Sequence, residues 1–168
     1  MTQRPGNYAK APASAGSAIN PYNLKPMPKE KNTTGCDVRL TVPFHDLDPM
    51  QVVWHGNYLK YFDIARFALF DSLGVDLHSF NKKTKYVFPI IRTSVKHIFP
   101  LRHRDEFICK AEITEADIKI ILDFEIRLVR NSKICAKGRG EQVAVKMPEM
   151  EMMLAIPDEI RTALGFQH

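Results

Sequence analysis

The sequence predicts an α+β fold in which one long, mostly apolar helix is wrapped by a curved antiparallel β-sheet. Polar positions are few within residues 58–74, which indicates a helix buried on most of its sides. Four segments with strand patterns follow that helix, and the alternating strands and helices of a doubly wound fold are missing. A chain of 168 residues is long enough for one domain with a sizeable core.

Residues 1–35 are rich in Pro, Ala, Ser, Gly, Asn and Lys and contain few large apolar side chains. Such a segment cannot bury enough apolar surface to offset the entropy lost on ordering. The sequence therefore predicts a flexible N-terminal arm over 1–35 and a folded domain over 36–168. Neither a secretory signal nor an apolar stretch that could span a bilayer is apparent, which predicts a cytoplasmic protein without a membrane partner.

The folded domain is predicted to begin with a strand and to end with a short helix. Residues 39–44 alternate with the period of a strand, and Pro43 marks an edge or the end of that strand. The residues of this strand expected to face inward are Leu40, Val42 and Phe44. The terminal helix is predicted over 157–164, with Pro157 at its start.

The long helix over 58–74 is the central predicted element. Asn57 is predicted as its N-cap and Gly74 as its C-terminal cap. A narrow polar stripe at three-residue spacing consists of Lys60, Asp63 and Arg66. The remaining positions are mostly apolar or aromatic, so the sheet is expected to cover most of this helix.

The segments after the helix alternate apolar and polar residues as strands do. They are 86–100, 106–115, 122–129 and 134–147. Pro89 interrupts the first of them, and residues 130–133 form a hairpin turn between the last two. Gly138 and Gly140 predict a bulge or a bend in the last strand. The residues expected to face inward in the middle two are Phe107, Cys109, Ala111, Ile113, Leu122, Phe124, Ile126 and Leu128.

The net charge of +5 and the isoelectric point of about 9.1 favour an anionic partner. A nucleic-acid binder would show a denser basic stripe or a helix that enters a groove, so no nucleic-acid partner is predicted. The three cysteines, Cys36, Cys109 and Cys135, are widely spaced and form no Cys-x-x-Cys pair. Neither a disulfide framework nor a zinc site is predicted.

Residues 45–58, HDLDPMQVVWHGNY, place two carboxylates, two histidines and the only tryptophan next to an apolar run. A surface loop would not need the apolar run, and a buried strand would not tolerate unpaired aspartates. The mixture predicts a polar site set into an apolar wall. A metal site built from His45, Asp46, Asp48 and His55 is not favoured, because their spacing matches no standard ligand pattern.

The stretch FHDLDPMQVVWHGNYLKYFDIAR, residues 44–66, resembles the 4-hydroxybenzoyl-CoA thioesterase family of hotdog-fold acyl-CoA thioesterases. The resemblance extends over about residues 38–147 and includes FPLRHRDEF and RNSKICAKGRGEQVAV. It implies a hotdog fold and hydrolysis of a thioester linked to CoA or to an acyl carrier protein, without a cofactor or a metal. It also implies homodimers, often paired into tetramers, with active sites at the dimer interface.

The resemblance places the catalytic carboxylate on Asp48, the second acid of the motif. A backbone N–H at the helix start, which polarises the thioester carbonyl, falls at or near His55. The substrate-binding positions that follow are Gly56, Asn57 and Tyr58. A helix start supplies aligned N–H groups and a positive dipole end, which suits a developing oxyanion. Asp48 could activate water or attack the thioester itself, and the sequence leaves both open.

Substrate preference is less constrained by the motif. Asp63 stands where a hydroxybenzoyl-specific member has an aspartate that binds the aryl hydroxyl, although a plain ion pair with Arg66 at i, i+3 is favoured. The chain departs from the family at Met50-Gln51, where a small residue and glycine are usual, which concerns acyl specificity more than chemistry. The basic residues assigned to the CoA phosphates by position are Lys96, Arg102 and Arg104.

Several of these residues also have a plain structural interpretation. Asp46 is expected to cap a turn, and Trp54 to form part of a wall. Asp48 precedes a proline, which is a common turn pair, and His55 could be a structural histidine. Two other functions stay open as alternatives. A hotdog dehydratase would carry its own histidine–acid motif on the helix, and a non-catalytic acyl-binding module would be expected to lack Asp48.

Overall fold

The computed structural model describes residues 25–26, 34–75 and 77–166. The strands are β1 (Lys25–Pro26), β2 (Gly35–Thr41), β3 (Tyr86–Val87), β4 (Ile90–His97), β5 (Glu106–Ala116), β6 (Ile120–Leu128), β7 (Ile134–Gln142), β8 (Val145–Lys146) and β9 (Glu151–Met152). The helices are α1 (Asn57–Ser72), α2 (Leu77–Thr84) and α3 (Asp158–Ala163), with a 3-10 turn at Phe44–Asp46. No helix in the described ranges is long and apolar enough to cross a membrane.

One antiparallel sheet contains six strands in the order β1-β2-β5-β6-β7-β4, and β3, β8 and β9 form a smaller sheet. Helix α1 contacts β2 and β5, and its Phe62 stacks on Phe124 of β6 with 4.7 Å between ring centroids. The predicted α+β arrangement of one long helix against an antiparallel sheet is confirmed. Strand β4 is the last strand of the sheet, at the edge opposite β1.

Most of the predicted arm over 1–35 lies outside the described residues. Within it, Lys25–Pro26 pairs antiparallel with Arg39 and Val38 of β2, and Gly35 already belongs to β2. The first strand thus begins four residues before the predicted start at residue 39 and ends at Thr41 instead of residue 44.

The predicted inward position of Phe44 is wrong. Its side chain is 68% exposed and meets the ring of His103 edge to face, with 5.6 Å between centroids. The chain leaves the sheet after Thr41, and Pro43 leads into the 3-10 turn instead of extending the strand. The period of two therefore stops before Phe44, and the side chain points away from the core.

The alternation predicted for β5 and β6 is confirmed. All eight inward-facing residues of these two strands are buried. Burial also raises the pKa of the Cys109 thiol, as expected of a core residue instead of a reactive one. These side chains and the buried face of α1 form the main core.

Helix α1 is buried on one face and not on most sides, which corrects the prediction. Leu59 and Phe67 are 43% and 47% exposed. With Asp63 they form an exposed stripe at four-residue spacing, because residues four apart share a face of a helix. The opposite face carries fully buried residues such as Tyr61 and Leu69.

The helix ends differ in how well they were predicted. Gly74 has φ +77°, and the N–H of Val75 donates to the carbonyl oxygen of Phe70 at 2.9 Å, as in a Schellman motif. The predicted C-terminal cap is confirmed. Asn57 is not the N-cap but the first helical residue, since Gly56 occupies the cap position without a side-chain capping bond.

Strand β7 contains no bulge at its glycines, contrary to the prediction. Gly138 and Gly140 pair in regular register with both neighbouring strands. A Cβ atom at Gly138 would lie 2.3 Å from the ring of Phe62. Glycine is needed here for the close approach of α1.

The remaining elements are partly as predicted. Pro89 separates β3 from β4, and Pro157 is the N-cap of α3. Helix α2 was not predicted from the sequence. The return strand predicted over 134–147 ends at Gln142, and the residues of β8 belong to the smaller sheet.

Candidate active site

Residues 46–54 form a narrow hairpin-like loop, the 46–54 loop, that leads into α1. The N–H of Trp54 donates to the carbonyl oxygen of Asp46 at 2.9 Å. The N–H of Asp48 donates to the carbonyl oxygen of Val52 at 2.8 Å. An isolated antiparallel bridge lies between these two rungs. The loop therefore holds both aspartates in a defined geometry beside the start of the helix.

Asp46 is a buried anchor, and the prediction that it merely caps a turn is wrong. The residue is 1% exposed. Its carboxylate accepts hydrogen bonds from the Nζ of Lys60 and from the hydroxyl of Tyr61, the latter at 2.6 Å. Its carbonyl oxygen accepts from the Nδ2 of Asn57 at 3.0 Å. These bonds fasten the 46–54 loop to the first turns of α1.

Asp48 is half-buried, and hydrogen bonds hold only one of its two carboxylate oxygens. Its Oδ1 accepts the backbone N–H groups of Met50 at 2.8 Å and Val52 at 3.4 Å, so the turn interpretation of this residue is confirmed. The Oδ2 atom accepts no hydrogen bond from the described part of the chain. The carboxylate is thus positioned by the backbone while one oxygen stays available.

The tip of the 46–54 loop carries a side chain at a position with glycine-like backbone geometry. Gln51 has φ +61°, which lies in the left-handed region that favours glycine. The turn that a glycine would make is therefore retained with a side chain in place, at a cost of roughly 1 kcal/mol.

The start of α1 presents backbone donors. The N–H groups of His55 and Gly56 donate to no group within the described ranges. The indole of Trp54 lies over Gly56, where a Cβ atom would be 2.1 Å from the ring, and it is 49% exposed. Trp54 thus forms a wall beside these donors, and the exposed ring of His55 lies against it, with 4.8 Å between centroids.

The predicted substrate-binding role of the Tyr58 side chain does not fit its position. Tyr58 is 3% exposed, and its hydroxyl accepts the N–H of Leu101 at 3.4 Å. Its ring meets that of His97 edge to face, with 4.7 Å between centroids, and burial raises the pKa of the phenol. The side chain is part of the core beneath the helix start.

Asp63 and Arg66 form the predicted i, i+3 ion pair, with 3.0 Å between the guanidinium and Oδ1. Both side chains line a cavity of about 130 Å³ between α1 and the strands β4, β6 and β7. We refer to it as the α1 cavity. Oδ1 of Asp63 therefore already has a partner in the structure, whereas Oδ2 accepts no hydrogen bond from the described residues.

Two of the basic residues lie near the 46–54 loop. Arg102 forms an isolated bridge with Val52, and its N–H donates to the carboxylate of Asp105 at 2.9 Å. Arg104 is exposed in the same turn and has φ +63°. The structure therefore brings both arginines to the side of the molecule that carries Asp48.

Lys96 does not join them. It pairs in register with Lys137 of β7, whereas its neighbour His97 faces Tyr58 beneath the helix start. Because successive residues of a strand point to opposite faces, Lys96 lies on the outer face of the sheet. The predicted cluster of three basic residues at one rim is thus reduced to two.

Sequence reasoning missed the partners of Asp46. Lys60 was noted only as part of a polar stripe, and its partner lies 14 residues away in the loop. It also missed Gln142, although a polar residue at the same strand parity as Gly138 and Gly140 is a signal of an inward-facing side chain. Within the described ranges, no group of three or more His, Cys, Asp and Glu residues could hold a metal ion.

The chain is similar to known thioesterases. A family model described as the thioesterase-like superfamily matches residues 42–164. The acyl-CoA thioesterase YbgC of Haemophilus influenzae is 25% identical over 134 residues, which cover 80% of this chain and 96% of that protein.

Two solved structures are similar to this chain at low sequence identity. One is Slr0204, a 1,4-dihydroxy-2-naphthoyl-CoA thioesterase from Synechocystis. Its TM-score is 0.71 at 20% sequence identity, and the match covers 78% of this chain and 96% of the Slr0204 chain. The other is a mutant 4-hydroxybenzoyl-CoA thioesterase complexed with 4-hydroxybenzoyl-CoA. Its TM-score is 0.70 at 14% sequence identity, and the match covers 78% of this chain and 99% of that chain. These likenesses confirm the predicted hotdog fold.

Proposed function

Because the chain belongs to the thioesterase-like superfamily, we propose that it hydrolyses the thioester of an acyl-CoA with Asp48 as the reactive carboxylate. One observation carries the assignment of the residue. The Oδ1 of Asp48 is fixed by two backbone N–H groups while Oδ2 is available, and the loop that holds it leads directly into the unpaired N–H groups of His55 and Gly56.

The chemistry follows from these groups. In the water route, Asp48 takes a proton from water as the water oxygen bonds to the thioester carbon, and the N–H groups of His55 and Gly56 stabilise the oxyanion. The C–S bond then breaks, and the proton passes to the departing sulfur. In the direct route, Oδ2 attacks the carbon, the CoA thiolate leaves, and water hydrolyses the resulting mixed anhydride. Both routes require the same carboxylate.

The test is release of free thiol from a panel of acyl-CoA and acyl-carrier-protein esters. We expect turnover of at least one CoA ester and a faster reaction with CoA than with the carrier protein. Binding of esters without thiol release would instead support a non-catalytic acyl-binding module. Hydration or dehydration of an enoyl or hydroxyacyl ester without thiol release would support a hotdog dehydratase.

We further propose that the active unit is a homodimer joined at β4. This edge strand is exposed along almost its whole length, and Ile90 and Ile91 on it are 44% and 51% exposed. Leu59 and Phe67 add an exposed apolar stripe on α1. Unpaired strand edges with apolar side chains favour association with a second copy, and two such dimers could form a tetramer.

Light scattering tests this assembly. We expect the mass of a dimer or tetramer at micromolar concentration and a shift towards monomer in Ile91→Glu. The control is Ile118→Glu, since Ile118 is 62% exposed in the turn between β5 and β6. A monomeric wild-type protein with full activity would contradict the interface.

Arg102 and Arg104 are proposed to bind the CoA phosphates. Contacts far from the thioester bind ground state and transition state alike, so their loss should raise KM and leave kcat largely unchanged. We expect the double variant Arg102→Ala, Arg104→Ala to raise KM about tenfold or more for CoA esters, less so at high salt. Lys96→Ala is the control on the opposite face, and an equal rise in its KM would place the anion site elsewhere.

The proposed compartment is the cytoplasm. Cys109 and Cys135 are free thiols in the described part of the chain, and free thiols are the rule in that compartment. Fractionation of cells that express the full chain would test the assignment.

A further inference from the structure

The arginines of the described ranges differ in whether they have an acidic partner. Nine arginines lie in these ranges, and seven of them form an ion pair with an aspartate or a glutamate. The other two are Arg102 and Arg104, which are both exposed. Neither of their guanidinium groups bonds to a residue of the described chain. The two unpaired guanidinium groups therefore stand in one turn beside the 46–54 loop.

The carboxylate that adjoins this turn is bonded elsewhere. Asp105 directly follows Arg104 in the chain, so the acid and its neighbouring arginines would be expected to neutralise one another. Instead, the Asp105 side chain is 7% exposed and pairs with Arg130. Its Oδ1 accepts from the Nη1 of Arg130, and its Oδ2 accepts the backbone N–H of Arg102 at 2.9 Å. Both carboxylate oxygens are thus occupied without either exposed guanidinium group.

The turn also holds Arg104 in an unfavourable backbone conformation. The N–H of Asp105 donates to the carbonyl oxygen of Arg102 at 3.0 Å, which closes a β-turn over 102–105. Arg104 is the third residue of this turn and has φ +63°, at the position where a type II turn usually holds glycine. Its N–H donates to the carbonyl oxygen of Val42 at 3.1 Å. A long cationic side chain is therefore retained where glycine is favoured, and such strain clusters at functional sites.

Arg130 connects this turn to another part of the sheet. It follows β6 in the chain, whereas Asp105 directly precedes β5. The Arg130 side chain is 58% exposed, and an ion pair with an exposed partner contributes little to stability. The larger effect is on the charge of Asp105. Without Arg130, a buried carboxylate would lack its partner, and the cations next to it in the chain are Arg102 and Arg104.

Resting on the proposed function, we propose that Arg130 is a positioning residue for carrier specificity: by pairing with Asp105, it keeps Arg102 and Arg104 unpaired for the phosphates of CoA. Arginine binds phosphate through charge-assisted, often bidentate hydrogen bonds. A guanidinium that is already bonded to a carboxylate has fewer of these bonds to offer. Arg130 therefore favours a thiol carrier that bears several phosphates and has no effect on pantetheine, which bears none.

The experiment measures the binding of CoA and of pantetheine by calorimetry. Because pantetheine lacks the phosphates of CoA, the difference between the two affinities isolates the phosphate contacts. We expect Arg130→Gln to weaken CoA binding about 5- to 20-fold, as for the loss of one charge-assisted hydrogen bond, and to leave pantetheine binding unchanged. Arg130→Lys retains a charge beside Asp105 and should keep the CoA affinity within about threefold of wild type.

Arg139→Gln is the matched control for the loss of an exposed ion pair. Arg139 pairs with Asp123 on β6, away from the turn at 102–105. This variant should leave the CoA affinity within about twofold of wild type. An equal loss of CoA affinity in Arg139→Gln and Arg130→Gln would reduce the effect to the net charge of the protein and overturn the specific role of Arg130.

A second comparison tests whether Arg130 acts through the two arginines of the turn. In the background of Arg102→Ala and Arg104→Ala, the further change Arg130→Gln should weaken CoA binding no more, because residues that act as a unit are not additive. A full additional loss in this background would mean that Arg130 contacts CoA by itself or acts elsewhere, and the positioning role would be wrong.

Arg104→Gly separates the backbone strain from the binding role. Glycine relieves the strain at positive φ, so the melting temperature should rise by about 1–4 °C while CoA binding weakens. Lys85→Gly is the matched control, since Lys85 is an exposed cation with φ +60° outside the candidate site. It should raise the melting temperature and leave CoA binding unchanged. Unchanged CoA binding in Arg104→Gly would overturn the functional interpretation of the turn.

A purely structural role of Arg130 gives a different result. Folded Arg130→Gln with unchanged CoA affinity, or with equal losses for CoA and pantetheine, would overturn the proposal. If Arg130→Gln does not fold, Arg130→Lys replaces it, and a folded Arg130→Lys protein with a tenfold or greater loss for both ligands would have the same meaning.

Thiol release from the acyl-CoA panel separates this inference from the proposed function. Thiol release together with a CoA affinity that does not depend on Arg130 would overturn the positioning role and leave the thioesterase intact. A CoA affinity that depends on Arg130, without thiol release, would overturn the thioesterase and support the positioning role. Neither CoA binding nor thiol release would overturn both.

Discussion

Asp46 and Asp48 are two residues apart, yet their surroundings are opposite. Asp46 is 1% exposed and is bonded to Lys60 and Tyr61. Asp48 is half-buried and has one carboxylate oxygen without a partner in the described chain. A carboxylate whose hydrogen-bonding capacity is used by the protein stabilises the fold, whereas one that retains an acceptor can act on a substrate.

Because of this difference, we expect Asp46 to affect mainly the stability of the fold and Asp48 mainly the turnover. Removing the charge of Asp46 leaves Lys60 without its buried partner, which is costly to the folded state. Removing the charge of Asp48 leaves its two backbone hydrogen bonds possible, because an asparagine oxygen accepts them as well. Variants of the two residues should therefore change different measured quantities.

The largest effect is expected for Asp48→Asn on turnover. Loss of a positioned base lowers kcat by roughly 10²–10⁴-fold, which is about 3–5 kcal/mol in the barrier, and by more if Asp48 is the nucleophile. The melting temperature should change little. The measurement is kcat on one good acyl-CoA, with circular dichroism to establish folding. The control is Asp71→Asn at the exposed end of α1, and near wild-type turnover in a folded Asp48→Asn protein would refute the catalytic assignment.

The second-largest effect is expected for Asp46→Asn, on the free energy of unfolding. We expect a loss of about 2–3 kcal/mol, below the usual cost of breaking a buried pair because the Lys60 side chain is 33% exposed. This corresponds to a fall of roughly 4–12 °C in the melting temperature of a domain of this size. Turnover at a temperature where the variant is folded should fall less than in Asp48→Asn. The reverse order of the two effects on kcat would mean that the roles of the aspartates are exchanged.

The smallest effect is expected for Tyr61→Phe. The variant removes one hydrogen bond to Asp46 and retains the packing of the ring, so the free energy of unfolding should fall by about 1–2 kcal/mol. Urea denaturation would measure the change, with Tyr86→Phe as the control for loss of a phenol outside α1. Unchanged stability in Tyr61→Phe would show that the Tyr61 hydroxyl is not needed to hold the Asp46 carboxylate.

The fold was predictable where one pattern decided the structure. The alternation in β5 and β6 follows from burial of one face of a strand, and the Schellman motif at Gly74 follows from the conformational freedom of glycine. Helix α2 was missed because residues 77–84 are mostly polar and span little more than two turns, so their apolar periodicity rests on only Leu77 and Phe80. Phe44 was misplaced because the strand ends at Thr41, which the alternation did not reveal.

The candidate site was predictable only where its contacts join residues that are close in the sequence. The turn at Asp48 is local, and its hydrogen bonds connect residues two and four apart. The anchoring of Asp46 depends on side chains 14 and 15 residues away on α1. The pairing of Asp105 with Arg130 joins residues 25 apart. Local chemistry can be inferred from spacing, whereas the satisfaction of a buried polar group requires the packed structure.

The position of Trp54 has a spectroscopic consequence. It is the only tryptophan of the chain, so all indole fluorescence of the protein arises beside the unpaired N–H groups at the start of α1. The indole is 49% exposed and lies directly over Gly56. A ligand that excludes water from this place alters the emission of one fluorophore and no other. The protein therefore contains its own unlabelled optical reporter of occupancy at the helix start.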